Sequence, residues 1–316
     1  MIKGRKKDKG TVDDKAQYPL VSIGVPTYNR GRGISRTLAS ICAQRYPNLE
    51  VIVSDNCSTD DTADVIQEIC NDHPEIKYYR QTVNIGMISN FEFVLRNARG
   101  KYFMWVADDD AIEENVLEKY VSFLENHKEY SLVSGTIKYW LGDKYNLSEG
   151  GFTFEQKSSS LRVIGYYFKV IYGGMIHGMM RRELTDRINL RRVIGNDYHF
   201  IANLAYLGEI KNFDFVGYHK NFGGTSKNFK QYAKHLGDSE FAGNFPHLKM
   251  ACDAFAEVMY RSKVYSDLPL YAKFPLALSS FTSIVMRFYG NIYPFMVAGR
   301  IKRFILNPTY PKSLII

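Results

Sequence analysis

Short runs of consecutive apolar residues alternate with longer runs of helical period through the first third of the chain. Residues 20–27, 49–54, 76–80 and 102–107 form the apolar runs, rich in Val, Ile, Tyr and Phe and of a length suited to buried strands. Between them, residues 34–44, the stretch from Ser58 to Cys70, and residues 89–97 repeat apolar side chains at three- and four-residue spacing, as amphipathic helices do. Ser58, followed by Thr59, Asp60 and Asp61, reads as an N-cap with acids in the first turn, where the helix dipole favours them. Strands and helices alternating in this way predict βαβ crossovers and a mostly parallel sheet covered on both faces. Ligands of such sheets bind outside the carboxyl ends of the strands.

Three features converge on that rim. A turn over residues 26–30 ends the first strand, Asp55 ends the second, and Asp108, Asp109 and Asp110 end the fourth. Consecutive carboxylates repel one another, so a fold carries a penalty for them unless a cation offsets it. Mg²⁺ and Mn²⁺ take oxygen ligands, commonly one or two carboxylates plus the phosphates of a substrate. The plainer alternative is a solvated turn whose aspartates cap the next helix.

Composition and charge narrow the classes. A chain of 316 residues with 45% hydrophobic and 14% aromatic content can bury a sizeable core in one or two domains. Its four cysteines, Cys42, Cys57, Cys70 and Cys252, are widely spaced and suggest neither a zinc site nor a disulfide framework. Residues 1–17 are basic and lack the apolar core of a secretory leader, so a reducing, cytoplasmic setting is expected. The net charge of +8 sits at the two ends, and the C-terminal end is also apolar. That distribution favours an anionic membrane surface at the inner face of the cell membrane and argues against nucleic acid as a partner.

Residues 21–30 (Val-Ser-Ile-Gly-Val-Pro-Thr-Tyr-Asn-Arg) and 51–62 (Val-Ile-Val-Ser-Asp-Asn-Cys-Ser-Thr-Asp-Asp-Thr) resemble the opening of family 2 glycosyltransferases. Asn84-Ile85-Gly86, the segment 98–102 and the aspartate triplet follow in the family's order, so the resemblance covers roughly residues 19–125. It implies an α/β, GT-A fold: a Rossmann-like, mostly parallel sheet flanked by helices, here with a C-terminal helical extension. It also implies an inverting transferase that uses Mn²⁺ or Mg²⁺ and a nucleotide-sugar donor, expected to be UDP-linked. The acceptor would be a glycan or a lipid-linked sugar. Carried over, Pro26, Thr27 and Tyr28 would line the base, with Asn84 in the same nucleotide site. Asp55 would accept a ring N–H, and Arg30 would reach a phosphate. The family's Asp-x-Asp motif has its first acid replaced by Ala107, or its register shifts by one. Asp109 is then the expected metal ligand, Asp108 lies near ribose or metal-bound water, and Asp110 is a second ligand or a helix cap. Taken singly, Asp55 reads equally as a turn former and Arg30 as a solvated side chain.

The remaining pattern is less regular. Residues 131–140 read as a strand, 142–160 as a polar, Gly-bearing loop over the acceptor side, 161–172 as a helix, and 175–180 as a strand around a structural His177. Asp197 opens a helix running to about Leu207, where the family often carries an acid. It is the candidate general base, or an Asx N-cap. A strand over 213–219 leads into a Gly- and Lys-bearing segment that reads as a mobile loop over a diphosphate. His219, Lys220 and Lys227 are its candidate phosphate contacts, or ordinary loop charges. Residues 274–286 and 292–305 are apolar with basic and aromatic edges, and suit an interfacial position, a lid or an oligomer contact. The expected organisation is a basic tail (1–17), a catalytic unit (18–235, divided near 130 into nucleotide-sugar and acceptor halves) and a helical region (236–316). Nucleotidyl- or phosphotransfer, and a non-catalytic membrane scaffold, are the rival readings.

Overall fold

The computed structural model describes residues 17–141, 144–170, 173–221 and 228–290. Strands β1 (Val21–Thr27), β2 (Leu49–Asp55), β3 (Ile76–Arg80) and β4 (Tyr102–Trp105) lie parallel in the order β3-β2-β1-β4. Helices α1 (Gly31–Cys42), α2 (Thr62–Asp72) and α3 (Met87–Arg96) make the crossovers between them. After the short strand β5 (Ala111–Ile112) and helix α4 (Val116–Asn126), the sheet continues through β6 (Tyr130–Leu141), β7 (Lys144–Glu149), β8 (Met179–Arg181) and β9 (Glu209–Asn221). The full order is β3-β2-β1-β4-β8-β6-β9-β5, with β7 also paired to β6. Strand β8 is antiparallel to both β4 and β6, and β5 is antiparallel to β9.

Alternation along the strands explains why both faces are covered. Val51, Val53, Tyr102 and Met104 point into one apolar cluster with Ile34 and Leu38 of α1 and Leu117 of α4. Ile52, Phe103 and Trp105 point into the other, with Val94 of α3. That second cluster also takes residues from α5 (Ser159–Lys169), α6 (Asn196–Leu207) and the late helices α7 (Pro246–Ala256) and α8 (Leu270–Tyr289). Trp105, fully buried, meets Phe103 and Phe200 edge to face at 4.8 and 5.1 Å and donates its indole N–H to the Phe91 carbonyl. Helix α3 crosses β1 closely at Gly24, where a Cβ would fall 2.7 Å from Val94 and 2.8 Å from Phe103.

Arg181 shows how a charge is kept in this core. It is 6% exposed, yet its guanidinium donates to the carbonyls of Leu124, His127 and Tyr130 at 2.7–2.8 Å. These carbonyls lie at or just beyond the end of α4, where helix acceptors lack partners within the helix.

Four expectations change. Ser58 caps no helix: α2 starts at Thr62, and the Ser58 hydroxyl accepts the Asn29 N–H at 2.8 Å, tying the two rim turns together. The polar segment 142–160 contains strand β7, whose apolar alternation is limited to Tyr145 and Leu147. Residues 175–180 divide between a single 3₁₀ turn (Gly173–His177) and β8. Strand β9 runs from Glu209 to Asn221, so Lys220, like His219, stands in a strand and not in a loop. Lys227 and the tail 1–16 lie outside the described residues. Among those described, no helix is long and apolar enough to cross a membrane.

Candidate active site

The carboxyl ends of β1, β2 and β4 form the predicted rim, but its acids are in three different states. Asp108 is screened from one side: its oxygens accept the Tyr28 N–H and the Arg30 Nε–H, each at 3.3 Å. Burial pushes its pKa up, while Arg30 opposes the shift. Asp110 is enclosed at 2% exposure. One of its oxygens accepts from the Tyr218 hydroxyl at 2.9 Å and the other from the Asn221 N–H at 2.7 Å. Burial raises its pKa to about 6. Asp109 is the most open of the three, and its contact is a 3.5 Å ion pair with Arg30.

This disposition bears on a divalent cation. Asp110 caps no helix, since β5 follows it, and each of its oxygens already accepts one hydrogen bond. Its two hydrogen bonds make it a strut between the turn after β4 and strand β9. Asp109 does present a carboxylate at the surface. Among the described residues, no second and third thiolate, imidazole or carboxylate close around it. One open carboxylate with the remaining positions left to phosphate and water is how Mg²⁺ and Mn²⁺ sit with nucleotides. The residues present therefore fit such an ion at Asp109, with Asp108 beside it.

The other nucleotide-side residues are sorted by exposure. Pro26 and Thr27 are buried within β1, and Tyr28 is 44% exposed at the rim. Asp55 is fully buried; it accepts the Ser58 N–H at 2.9 Å and the Tyr78 hydroxyl at 3.0 Å, with Arg80 3.7 Å away. It anchors the turn that follows β2 and has no exposed surface. Asn84 is exposed and accepts from the Asn56 amide and the Gly86 N–H, both at 2.9 Å.

On the other side of β4, Asp197 is the second residue of α6, and Gly195 with φ 76° occupies the cap position without a side-chain bond. Asp197 is thus not the N-cap residue, although the Tyr198 N–H and its own N–H at the start of the helix favour its ionised carboxylate. The Asp197 carboxylate lies against Gly173, where any Cβ would collide with it. Burial raises its pKa, and the Lys220 ammonium opposes that shift. Lys220 exerts the same influence on Asp110, so it stands electrostatically between the two acids.

Lys220 is held by a residue that sequence reasoning left as merely structural. His177 Nδ1 lies 3.3 Å from the Trp105 carbonyl oxygen, which can only accept, so Nδ1 carries the proton and Nε2 accepts from Lys220 Nζ at 3.3 Å. Burial, then Lys220, holds His177 well below the usual imidazole range. Its ring stacks on Tyr218 at 4.4 Å, and the Tyr218 hydroxyl reaches Asp110. Nothing in the local pattern around Tyr218 or Gly173 announces these roles. His219, by contrast, is spent: Nδ1 accepts from Trp140 Nε1 at 3.0 Å and Nε2 pairs with Glu113 at 2.9 Å. It is removed from the phosphate contacts because both ring nitrogens are engaged.

Comparison with known proteins identifies the family and the fold. The model of the family described as glycosyl transferase family 2 matches residues 22–188. The chondroitin synthase of Escherichia coli is 27% identical over 231 residues, which is 72% of this chain and 32% of that protein. An uncharacterized glycosyltransferase of Haemophilus influenzae is 37% identical over 109 residues, 34% of each chain. The chain thus spans about a third of the length of these curated relatives. Among solved structures, S. aureus TarS 1–349 in complex with UDP-GlcNAc superposes with a TM-score of 0.54 at 21% identity, covering 84% of this chain and 81% of that one. The mannosyltransferase PcManGT of Pyrobaculum calidifontis, in complex with GDP-Man and Mn²⁺, gives 0.53 at 18% identity, covering 92% and 82%.

The strut role of Asp110 has a pH signature. Its folded pKa lies near 6, above the ordinary 3.8, so its protonated form is favoured by folding. The contribution of this group to stability therefore grows as pH falls through 6 toward 4 and is lost as pH rises again. In chelator-treated protein, the unfolding free energy of the wild type relative to Asp110→Asn should gain about 1–1.5 kcal/mol between pH 7 and pH 5 in urea titrations. The same pH dependence in both proteins would contradict this.

Proposed function

The chain belongs to glycosyltransferase family 2 and has the GT-A fold, and from that premise we propose that it is a metal-dependent, inverting enzyme acting on a UDP-linked sugar. Its acceptor is a glycan or lipid-linked sugar in bacterial surface polysaccharide synthesis. The observation that carries the proposal is the part-exposed Asp109 carboxylate at the end of β4, next to an Asp110 that shares the Lys220 ammonium with Asp197. The named relatives include chondroitin and hyaluronan synthases, and the TarS complexes hold UDP or UDP-GlcNAc. These support a nucleotide-sugar donor and a polysaccharide product.

Asp109 would hold the divalent cation, Mn²⁺ or Mg²⁺, which when bound supplies charge neutralisation for a departing diphosphate. Arg30 already bridges Asp108 and Asp109, and its guanidinium can turn to a phosphate once those acids are otherwise compensated. Tyr28 offers an exposed aromatic face beside it for the base. Asp197 removes the proton from the acceptor hydroxyl as that oxygen bonds to the anomeric carbon and the carbon–phosphate-oxygen bond breaks. One in-line displacement inverts the anomeric configuration. Lys220 keeps Asp197 able to accept a proton despite its burial.

Attachment to an anionic membrane surface is the second part of the proposal. Helix α8 exposes Leu270, Tyr271, Phe274, Leu278, Met286 and Tyr289, between 46 and 82%. The sequence beyond it, residues 291–316, carries four Lys/Arg and no Asp/Glu. Apolar and aromatic groups next to unbalanced positive charge suit an interfacial position.

Calorimetry with UDP is expected to show binding that depends on Mn²⁺ in the wild type and is lost in Asp109→Asn. Binding unchanged by that substitution would remove Asp109 as the ligand. With donor binding retained, Asp197→Asn should lower kcat by about 10²–10⁴, and the acid limb of the wild-type profile should lie above the ordinary carboxylate range. Near-normal turnover would end its role as base. For the membrane, Tyr271→Glu with Phe274→Glu should weaken binding to phosphatidylglycerol vesicles at least about tenfold; undiminished sedimentation with them would refute the surface assigned to α8.

A further inference from the structure

At the rim of the sheet opposite the site just described, the chain brings a thiol, an imidazole and a carboxylate to one point. Cys42 is the last residue of α1, His73 follows the last residue of α2, and Glu75 immediately precedes β3. One donor atom from each lies within 4.8 Å of the other two. His73 Nδ1 and Glu75 Oε1 are 3.1 Å apart. Cys42 is 5% exposed and faces the cluster from the protein interior, while His73 and Glu75 are half-buried and open one side to solvent.

Zn²⁺ bonds of about 2.0–2.3 Å in tetrahedral array set neighbouring ligand atoms roughly 3.3–3.8 Å apart. The His73–Glu75 separation is already close to that value, and a side-chain adjustment of about 1 Å brings the sulfur into range. The backbone beneath is fixed independently of any ion: the Ile76 N–H donates to the His73 carbonyl at 3.0 Å and the Val51 N–H to the Glu75 carbonyl at 2.9 Å. Thiolate and imidazole donors favour Zn²⁺, whereas Mg²⁺ and Mn²⁺ prefer oxygen. A thiolate and a carboxylate also match the two charges of the ion. The spacing, with one ligand far from a His-x-Glu pair, forms no local motif, which is why the cysteine pattern gave no sign of it.

We propose that Cys42, His73 and Glu75 form a zinc site, with water completing the coordination, that fastens α1 and α2 to the start of β3. The Cys42 thiol gives its proton to solvent as the sulfur–zinc bond forms, so affinity rises with pH. The site is separate from Asp109 and stands or falls without it.

The test uses the full chain stripped with chelator, with Co²⁺ and Zn²⁺ as the probes. One equivalent of Co²⁺ should produce near-ultraviolet thiolate-to-cobalt absorption, and Zn²⁺ should abolish it by displacement. Zn²⁺ should also raise the melting temperature where Mg²⁺ at the same concentration does not. Cys42→Ala and His73→Gln should each weaken Co²⁺ binding at least tenfold, while Cys70→Ser leaves it unchanged. Should Cys42→Ala fail to fold, the more exposed His73→Gln and Glu75→Gln decide the matter. Absence of the thiolate band, its persistence in Cys42→Ala, or an undiminished zinc response in His73→Gln would overturn the proposal.

Discussion

Three adjacent carboxylates at the end of β4 impose the problem that the surrounding structure solves. Asp108 is met by the Tyr28 N–H and by Arg30, and Asp110 is buried against Tyr218 and Asn221. Both solutions draw on chain far away in sequence, the first turn and the ninth strand. They also hold the two flanking acids in place, so the middle one, Asp109, is left facing outward. A carboxylate between two anchored neighbours, met only by a 3.5 Å ion pair with Arg30, is a position that an added cation would favour.

The same strand that anchors Asp110 carries Lys220, and this links two acids that are far apart in sequence. Lys220 is fixed through His177 to the Trp105 carbonyl, so its ammonium is positioned by the core and not by a surface loop. Its charge favours ionised Asp197 and ionised Asp110 together. Asp110 and Asp197 thereby share one counter-ion. Membership of glycosyltransferase family 2 gives this arrangement its meaning and sets aside phosphotransfer and a non-catalytic scaffold.

Much of the donor half was legible in the sequence because its signals are local. Four apolar runs ending in turns or acids gave β1 to β4 and the rim where Asp55 and Asp108–Asp110 meet, each boundary within about two residues. What escaped depends on distance in sequence. Ser58 has every mark of an N-cap, yet its hydroxyl is drawn to Asn29 by the closeness of two rim turns. Strand β7 offers only Tyr145 and Leu147 as alternating apolar positions, and β8 has only three residues. The fates of His219 and Lys220 differ although they are neighbours: alternation along β9 sends one ring to Trp140 and Glu113 and the other ammonium to His177. No reading of residues 213–227 alone could separate them.

The most direct measurement of the central claim is an anomalous difference map from a crystal soaked with Mn²⁺ and UDP. The account predicts one strong manganese peak within bonding distance of an Asp109 oxygen, with the diphosphate on its far side and Asp110 still bonded to Tyr218 and Asn221. A manganese peak held by Asp110 with Asp109 turned away, or none at this rim, would contradict it.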